Sequence, residues 1–290
     1  MYIGVIFAIM VAIFWSVGEI GYSRLAKSLD RANTYLHQYL ARSIIYLLVV
    51  VIFNIRLFTT FEVDHFLVFL PIIVCDLLAS YVINIAAYNG KLSVISPIMA
   101  SYPIVDIFLG LLILKEKIGI IEVILSLIIT ISIVLLALKQ KKTKSAPKPV
   151  KGVIFAVCYM LFVAFSVFFE KSAYIGDFSM FELYYYKGIV YFITSVLFMT
   201  IVGITPVKLK RLNKDILWGC CVTPLGNVLN SFALTFGNMI IVTPISSMYS
   251  VLTNFLSRKV LKEKISLKES ICISLILLCT IALIILSLIN

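Results

Sequence analysis

Apolar residues occupy this chain in long continuous runs separated by short polar gaps, without the every-second-residue alternation of a barrel strand. Ten runs stand out, over 2–22, 33–54, 66–89, 93–114, 118–138, 152–170, 181–203, 216–236, 240–261 and 268–289. Each is near the ~20 residues that a helix needs to cross a bilayer core of ~30 Å. Backbone groups in lipid must be satisfied inside helices or closed barrels. The pattern therefore predicts an all-α integral membrane protein with ten transmembrane helices.

The pattern is also written twice. Ser96-Pro97-Ile98, Tyr102, Phe108-Leu109 and Leu114-Lys115-Glu116-Lys117-Ile118 recur as Thr243-Pro244-Ile245, Tyr249, Phe255-Leu256 and Leu261-Lys262-Glu263-Lys264-Ile265, every match displaced by 147 positions. Upstream, Gly4-Val5-Ile6-Phe7-Ala8 recurs as Gly152-Val153-Ile154-Phe155-Ala156, displaced by 148. A repeat this long is a half of the chain and not the module of a solenoid. The expected division is a first repeat over 1–138, a Lys-rich linker with Pro147 and Pro149 over 139–151, and a second repeat over 152–290. Five helices per half is an odd number, so the second half should enter the membrane from the opposite face. That is a 5+5 inverted repeat, the plan of many secondary transporters.

Composition fixes the class. With 62% hydrophobic and 13% charged residues and a mean hydropathy of +1.09, the chain has too little charge to cover a soluble globule. A net charge of +11 would suggest nucleic acid in a soluble protein. Here the basic residues cluster in the gaps, where they act as topology signals, so a lipid bilayer and no nucleic acid is the expected partner. Of the 25 Lys and Arg, Arg56, Lys115, Lys117 and Lys171 fall on one side, Arg42 and Lys187 fall within runs, and the other nineteen fall on the opposite side. The positive-inside rule places the nineteen in the cytoplasm and both termini outside a cell membrane. All six Cys lie in apolar runs without C-x-x-C spacing and read as packing residues. The first run has no basic stretch before it and is copied in the second half, so it is expected to be a retained helix and not a cleaved signal.

Two five-helix repeats, each with a proline near the start of its fourth helix (Pro97, Pro244) and a Lys-Glu-Lys connection into its fifth, resemble the EamA-type branch of the drug/metabolite transporter superfamily. The likeness covers essentially the whole chain. It implies a transporter and not an enzyme, with helices one to four and six to nine around a central cavity and the fifth and tenth outside as supports. Members of such families are commonly drawn with both termini cytoplasmic; the charges here argue the reverse.

Ionisable groups within spans cost ~2.5–3.5 kcal/mol each on insertion scales and mark candidate sites. Arg42, Asp76 and Asp106 lie near mid-depth in the second, third and fourth runs. The aspartates could receive a proton or a cationic group and Arg42 a carboxylate; equally, Arg42 could pair with one aspartate to lock helices. Tyr39-x-x-Arg42-x-x-x-Tyr46 is matched by Tyr184-x-x-Lys187-x-x-x-Tyr191, a basic group present in both halves, whereas Asp76 and Asp106 correspond to Thr223 and Thr253. Tyr102 and Tyr249 each stand one helical turn before these last positions, Asp106 and Thr253, where their rings could face a cation. Asp76, Ser80, Asn84 and Tyr88 form a polar stripe at four-residue spacing, answered in the other half by Thr223, Asn227 and Asn230. Glu19, in Trp15-Ser16-Val17-Gly18-Glu19, resembles in placement the first-helix glutamate of small multidrug resistance proteins, and Trp15 and Glu19 join the candidate substrate-binding set.

Absences narrow the mechanism. The sequence has no G-x-x-x-x-G-K loop for ATP, and its two histidines, His37 and His65, lie near run ends with no metal or Ser-His-Asp pattern. The reading is a monomeric, gradient- or proton-coupled carrier that uses no cofactor and moves a small polar metabolite, cationic or zwitterionic, such as an amino acid or amine, by alternating access between the two halves. The alternative is a non-transporting membrane protein, such as a lipid-processing or assembly protein, whose charges serve packing alone.

Overall fold

A computed structural model describes residues 2–28, 31–56, 62–89, 92–138, 149–201, 217–261 and 267–289, and these contain helices and turns but no strand. In chain order the helices are α1 (Tyr2–Ser28), α2 (Arg31–Asn54), α3 (Val63–Asn89), α4 (Leu92–Met99), α5 (Pro103–Leu112), α6 (Ile120–Leu138), α7 (Pro149–Ile175) and α8 (Met180–Ile201). A single π turn over Leu217–Cys221 leads into α9 (Val222–Phe236), followed by α10 (Met239–Ser247), α11 (Tyr249–Leu261) and α12 (Leu267–Ile289). Four stretches, Tyr2–Tyr22, Ala32–Asn54, Val63–Asn89 and Lys151–Ile175, are long and apolar enough to cross a membrane. Residues 139–148 of the expected linker lie outside the described residues, and its last three, 149–151, already belong to α7, which Pro149 opens. Proline suits a first helical turn because its missing N–H would have no partner there.

The side chains are sorted for lipid outside and polarity inside. Along α2, Ile44, Leu48, Val51 and Ile52 face outward, while Tyr39, Ser43, Tyr46 and Val50 are buried. An aliphatic exterior around a polar and aromatic interior suits a bundle whose solvent is hydrocarbon.

The expected spans 93–114 and 240–261 are each broken. The breaks fall between α4 and α5 and between α10 and α11, and they are the same break. Ser101 N–H bonds the Ile98 carbonyl at 3.2 Å and Met248 N–H the Ile245 carbonyl at 3.1 Å; Ile104 N–H bonds Ser101 at 3.1 Å and Val251 N–H bonds Met248 at 2.9 Å. These i to i−3 bonds tighten the chain into a turn at positions 147 apart. Pro103 follows only the first of them, since its counterpart is Ser250. The prolines common to both copies, Pro97 and Pro244, lie four residues ahead of each turn and each remove one ladder donor.

The halves interlock helix by helix. α1 packs along α9 and α3 along α7, α2 packs on α8, and α6 packs on α12. Exchanging each helix for its counterpart in the other half leaves this pairing unchanged. The α1–α9 seam is antiparallel and close enough to exclude side chains. A Cβ on Gly4 would lie 2.7 Å from the Gly237 Cα, and one on Gly21 would lie 2.5 Å from the Gly219 nitrogen. Small residues allow this backbone approach between membrane helices.

The turn between α9 and α10 is fastened by two charges from elsewhere. Lys171 Nζ donates to the carbonyls of Leu234 and Gly237 at 2.8 Å each. Glu116 accepts from the backbone N–H groups of Met239 at 2.8 Å and Ile240 at 3.1 Å. A cation on the end of α9 and an anion on the start of α10 satisfy orphan backbone groups and complement both helix dipoles. The chain presents Glu116 by turning at Lys115, a non-glycine residue at φ 51°. Lys171 is thus buried in α7, not in a connection, and one of the four charges assigned to the sparse side carries no topology signal.

Candidate functional site

Helix breaks and cross-half pairing enclose a cavity of about 110 Å³ between the repeats. One water needs ~10–15 Å³ on this measure, so the space suits a small solute. From the first half, α1 supplies Trp15, Glu19 and Tyr22, α2 supplies Gln38 and Arg42, α3 supplies Asp76, Ala79, Ser80 and Ile83, and the α4–α5 break supplies Tyr102. From the second, α7 supplies Tyr159, Val163, Val167 and Glu170, α8 supplies Tyr184 and Lys187, α9 supplies Thr223, Asn227 and Asn230, and the start of α11 supplies Tyr249. Neither α6 nor α12 contributes a lining residue among those described.

Charge is concentrated on one wall. Lys187 Nζ lies 2.7 Å from Asp76 Oδ2 and 3.7 Å from Glu170 Oε2. Asp76 Oδ1 accepts the Ser166 hydroxyl at 2.9 Å. Glu170 Oε1 accepts the hydroxyls of Tyr174, at 2.9 Å, and Ser231. Each carboxylate here is held by the ammonium and by hydroxyl donors, the condition under which a buried ion pair is tolerated. Arg42 has a different company: its Nη1 donates to the Ser80 and Tyr191 hydroxyls, and the guanidinium carbon stands 5.4 Å from the Tyr191 ring centre. Among the described residues no carboxylate lies within ion-pair distance of it.

Elsewhere in the lining, the Trp15 indole N–H donates to Asn227 Oδ1 at 2.9 Å, and Asn227 Nδ2 donates to the Tyr46 hydroxyl at 2.8 Å, tying α1, α2 and α9 together. Trp15 and Tyr249 meet edge to face with centres 5.6 Å apart. Glu19 is buried, its Oε2 accepting the Ser96 hydroxyl at 2.9 Å while Oε1 has no partner among the described residues. Asn230 Oδ1 accepts the Ser246 hydroxyl at 3.4 Å.

Eight of the eleven residues singled out from the sequence, Trp15, Glu19, Arg42, Asp76, Tyr102, Asn227, Asn230 and Tyr249, therefore stand around one cavity. Asp106, Asn84 and Tyr88 do not line it. Asp106 is fully buried in the first turn of α5, neither oxygen partnered among the described residues. It shares a helix face with Gly110, where an added Cβ would meet Ile240 of α10, so it points into the α5–α10 contact. Asn84 donates to Gln38 Oε1 at 3.2 Å and to the Ser80 carbonyl, and Tyr88 is 56% exposed. The stripe on α3 departs from the cavity because each four-residue step overshoots a 3.6-residue turn by about 40°, carrying Tyr88 roughly 120° away from Asp76.

Sequence reasoning missed Glu170 and Ser166 and gave Lys187 only an architectural part. Glu170 is the last residue of the run expected over 152–170, but α7 runs on to Ile175 and buries both it and Lys171. The signal was the i, i+4 series Ser166, Glu170, Tyr174, a second polar stripe opposite that of α3. No group of three or more His, Cys, Asp or Glu able to hold a metal occurs among the described residues.

Comparison with known proteins gives the same two-part outline. The model of the EamA-like transporter family matches residues 2–138 and again 150–286. A solved structure described only as the crystal structure of a protein superposes with a TM-score of 0.72 at 13% identity, covering 96% of this chain and 94% of its own. That likeness concerns the fold alone. No curated protein matches the sequence.

Proposed function

We infer that this chain, which belongs to the EamA-like transporter family, is a secondary carrier for a small polar metabolite, cationic or zwitterionic, coupled to a proton or other gradient. One observation carries this reading: a cavity lined in equal measure by both halves holds three carboxylates, Glu19, Asp76 and Glu170, against two cations, Arg42 and Lys187. Such a site presents one excess negative charge in a low-dielectric setting, which favours a solute or proton that brings positive charge. Aromatic rings at Trp15, Tyr102 and Tyr249 provide faces that attract cations. The ten-helix 5+5 inverted topology is part of the proposal, supported by a pairing that survives exchange of the halves and by turns that share two i to i−3 bonds 147 positions apart. So are action as a monomer and a cell-membrane location with both termini outside.

Flux tests the reading. Reconstituted in proteoliposomes, the chain should accumulate at least one member of an amino acid and amine panel under an imposed gradient, and Asp76→Asn should abolish accumulation. No flux for any amino acid, amine, sugar or drug, together with binding of lipid head groups, would instead favour a lipid-processing or assembly protein. For orientation, a cysteine appended after Asn290 in a cysteine-free background should react with an impermeant thiol reagent on intact cells. Labelling only after lysis would reverse the topology.

A further inference from the structure

The duplication placed a cation at the same point of both halves, yet only one of the two has carboxylates at ion-pair distance; Asp76 acts on the other only at longer range. Lys187 is answered by Asp76 and Glu170. Arg42, lining the same cavity, touches hydroxyls only, and both of its hydrogen bonds leave from Nη1. A guanidinium has five N–H donors in a planar fork and stays charged in any protein setting. Its Nε and Nη2 therefore have no acceptor among the described residues, and they form the edge that binds a carboxylate through two parallel bonds. An unneutralised cation in a low-dielectric site is costly, and the cost is relieved by an anionic group from outside the chain.

The two carboxylates of that wall are already engaged with Lys187 and with Ser166, Tyr174 and Ser231. The third, Glu19, keeps one oxygen without a partner and stands beside the Trp15–Tyr249 ring pair in the cavity lining. The cavity thus holds an open cationic fork and, in the same lining, an aromatic pair beside a buried carboxylate. We propose that Arg42 is the carboxylate-recognition residue of this site and that the substrate is a small zwitterion, its carboxylate on the free edge of Arg42 and its amine on the Trp15–Tyr249 ring pair beside the buried Glu19. This rests on the carrier reading for its purpose but makes a separate claim about binding. It excludes simple amines and simple acids as preferred ligands, because each leaves one pole unmet.

The experiment is a binding measurement on the purified full chain in detergent, using the twenty standard amino acids as probes. For every amino acid that binds, its decarboxylated amine and its deaminated acid serve as matched controls. The zwitterion should bind at least ~10-fold more tightly than either control, the scale of one charge-assisted bidentate contact. Arg42→Gln should weaken the zwitterion by ~10–100-fold, while its amine, relieved of a positive charge in the same cavity, binds as tightly or more so, which also reports that the variant is folded. Should Arg42→Gln fail to fold, Arg42→Lys keeps the charge without the fork, and about tenfold loss for the zwitterion alone is expected. Equal loss for zwitterion and amine, a control binding as tightly as its amino acid, or no binding by any of the three classes overturns the proposal. Flux of an amine or sugar indifferent to Arg42 would overturn it while leaving the carrier reading intact. Selective zwitterion binding without flux would do the opposite.

Discussion

The two halves agree in backbone and disagree in charge. Their fourth-helix breaks are alike to the individual hydrogen bond, at Ser101 and Ile104 in one and Met248 and Val251 in the other. Their cations are alike in sequence position, but Lys187 sits in a closed pair of carboxylates while Arg42 has hydroxyl company alone. Backbone geometry sets how the halves fit together, so a change in one copy has to respect the other. Cavity side chains are under no such constraint, and that is where the copies differ. Asp76 and Glu170, from different halves, both serve the same cation.

The strongest way to break this contrast is Lys187→Met. It strands the buried Glu170 carboxylate and the part-exposed Asp76, and should cost up to ~3–5 kcal/mol, read as a large fall in Tm in detergent. Arg42→Gln, the matched change in the other half, should leave Tm nearly unmoved; equal losses would erase the difference between the two cations. Next in size is Gly21→Val, which drives a Cβ into the Gly219 backbone at the seam and should cost ~1–3 kcal/mol by thermal melting. Glu116→Ala comes third, at ~0.5–2 kcal/mol, since it uncaps two backbone N–H groups of α10. The smallest effect is expected of Pro103→Ala, under ~1 kcal/mol by the same melt, because the second copy makes the same turn with Ser250 there. A large stabilisation on that change, with straightening of the helix, would assign the first break to Pro103 and end the claim that the two turns have one cause.

Much of the fold was legible because a bilayer imposes long apolar runs, and the repeat was legible because its register survives at 147 positions. The breaks were not, since an apolar run reads the same whether or not the helix pauses within it. Half of the site could be found from charges that have no business in lipid, such as Arg42 and Asp76. The rest depended on partners from the other half. Nothing local to Glu170 says that Lys187 stands 3.7 Å away, and nothing local to Lys171 distinguishes a charge that faces cytosol from one that closes the end of α9. Asp106 misled for a related reason: it does stand one turn beyond Tyr102, whose carbonyl accepts its N–H, but nothing local says that this face meets α10, where the Tyr102 hydroxyl reaches the Thr243 carbonyl.

The glycine seam bears on how such a molecule can move. Gly4 against Gly237 and Gly21 against Gly219 hold the first helix of one half to the third-position helix of the other at both ends of their length. Backbones in that contact slide or tilt together far more readily than they part. The counterpart pair, α3 with α7, is the most extensive helix contact in the molecule. Each of these two mixed pairs therefore binds one repeat to the other. A conformational cycle would rock α1–α9 against α3–α7, with the Trp15 and Glu19 wall of the cavity travelling on one block and the Asp76 and Glu170 wall on the other.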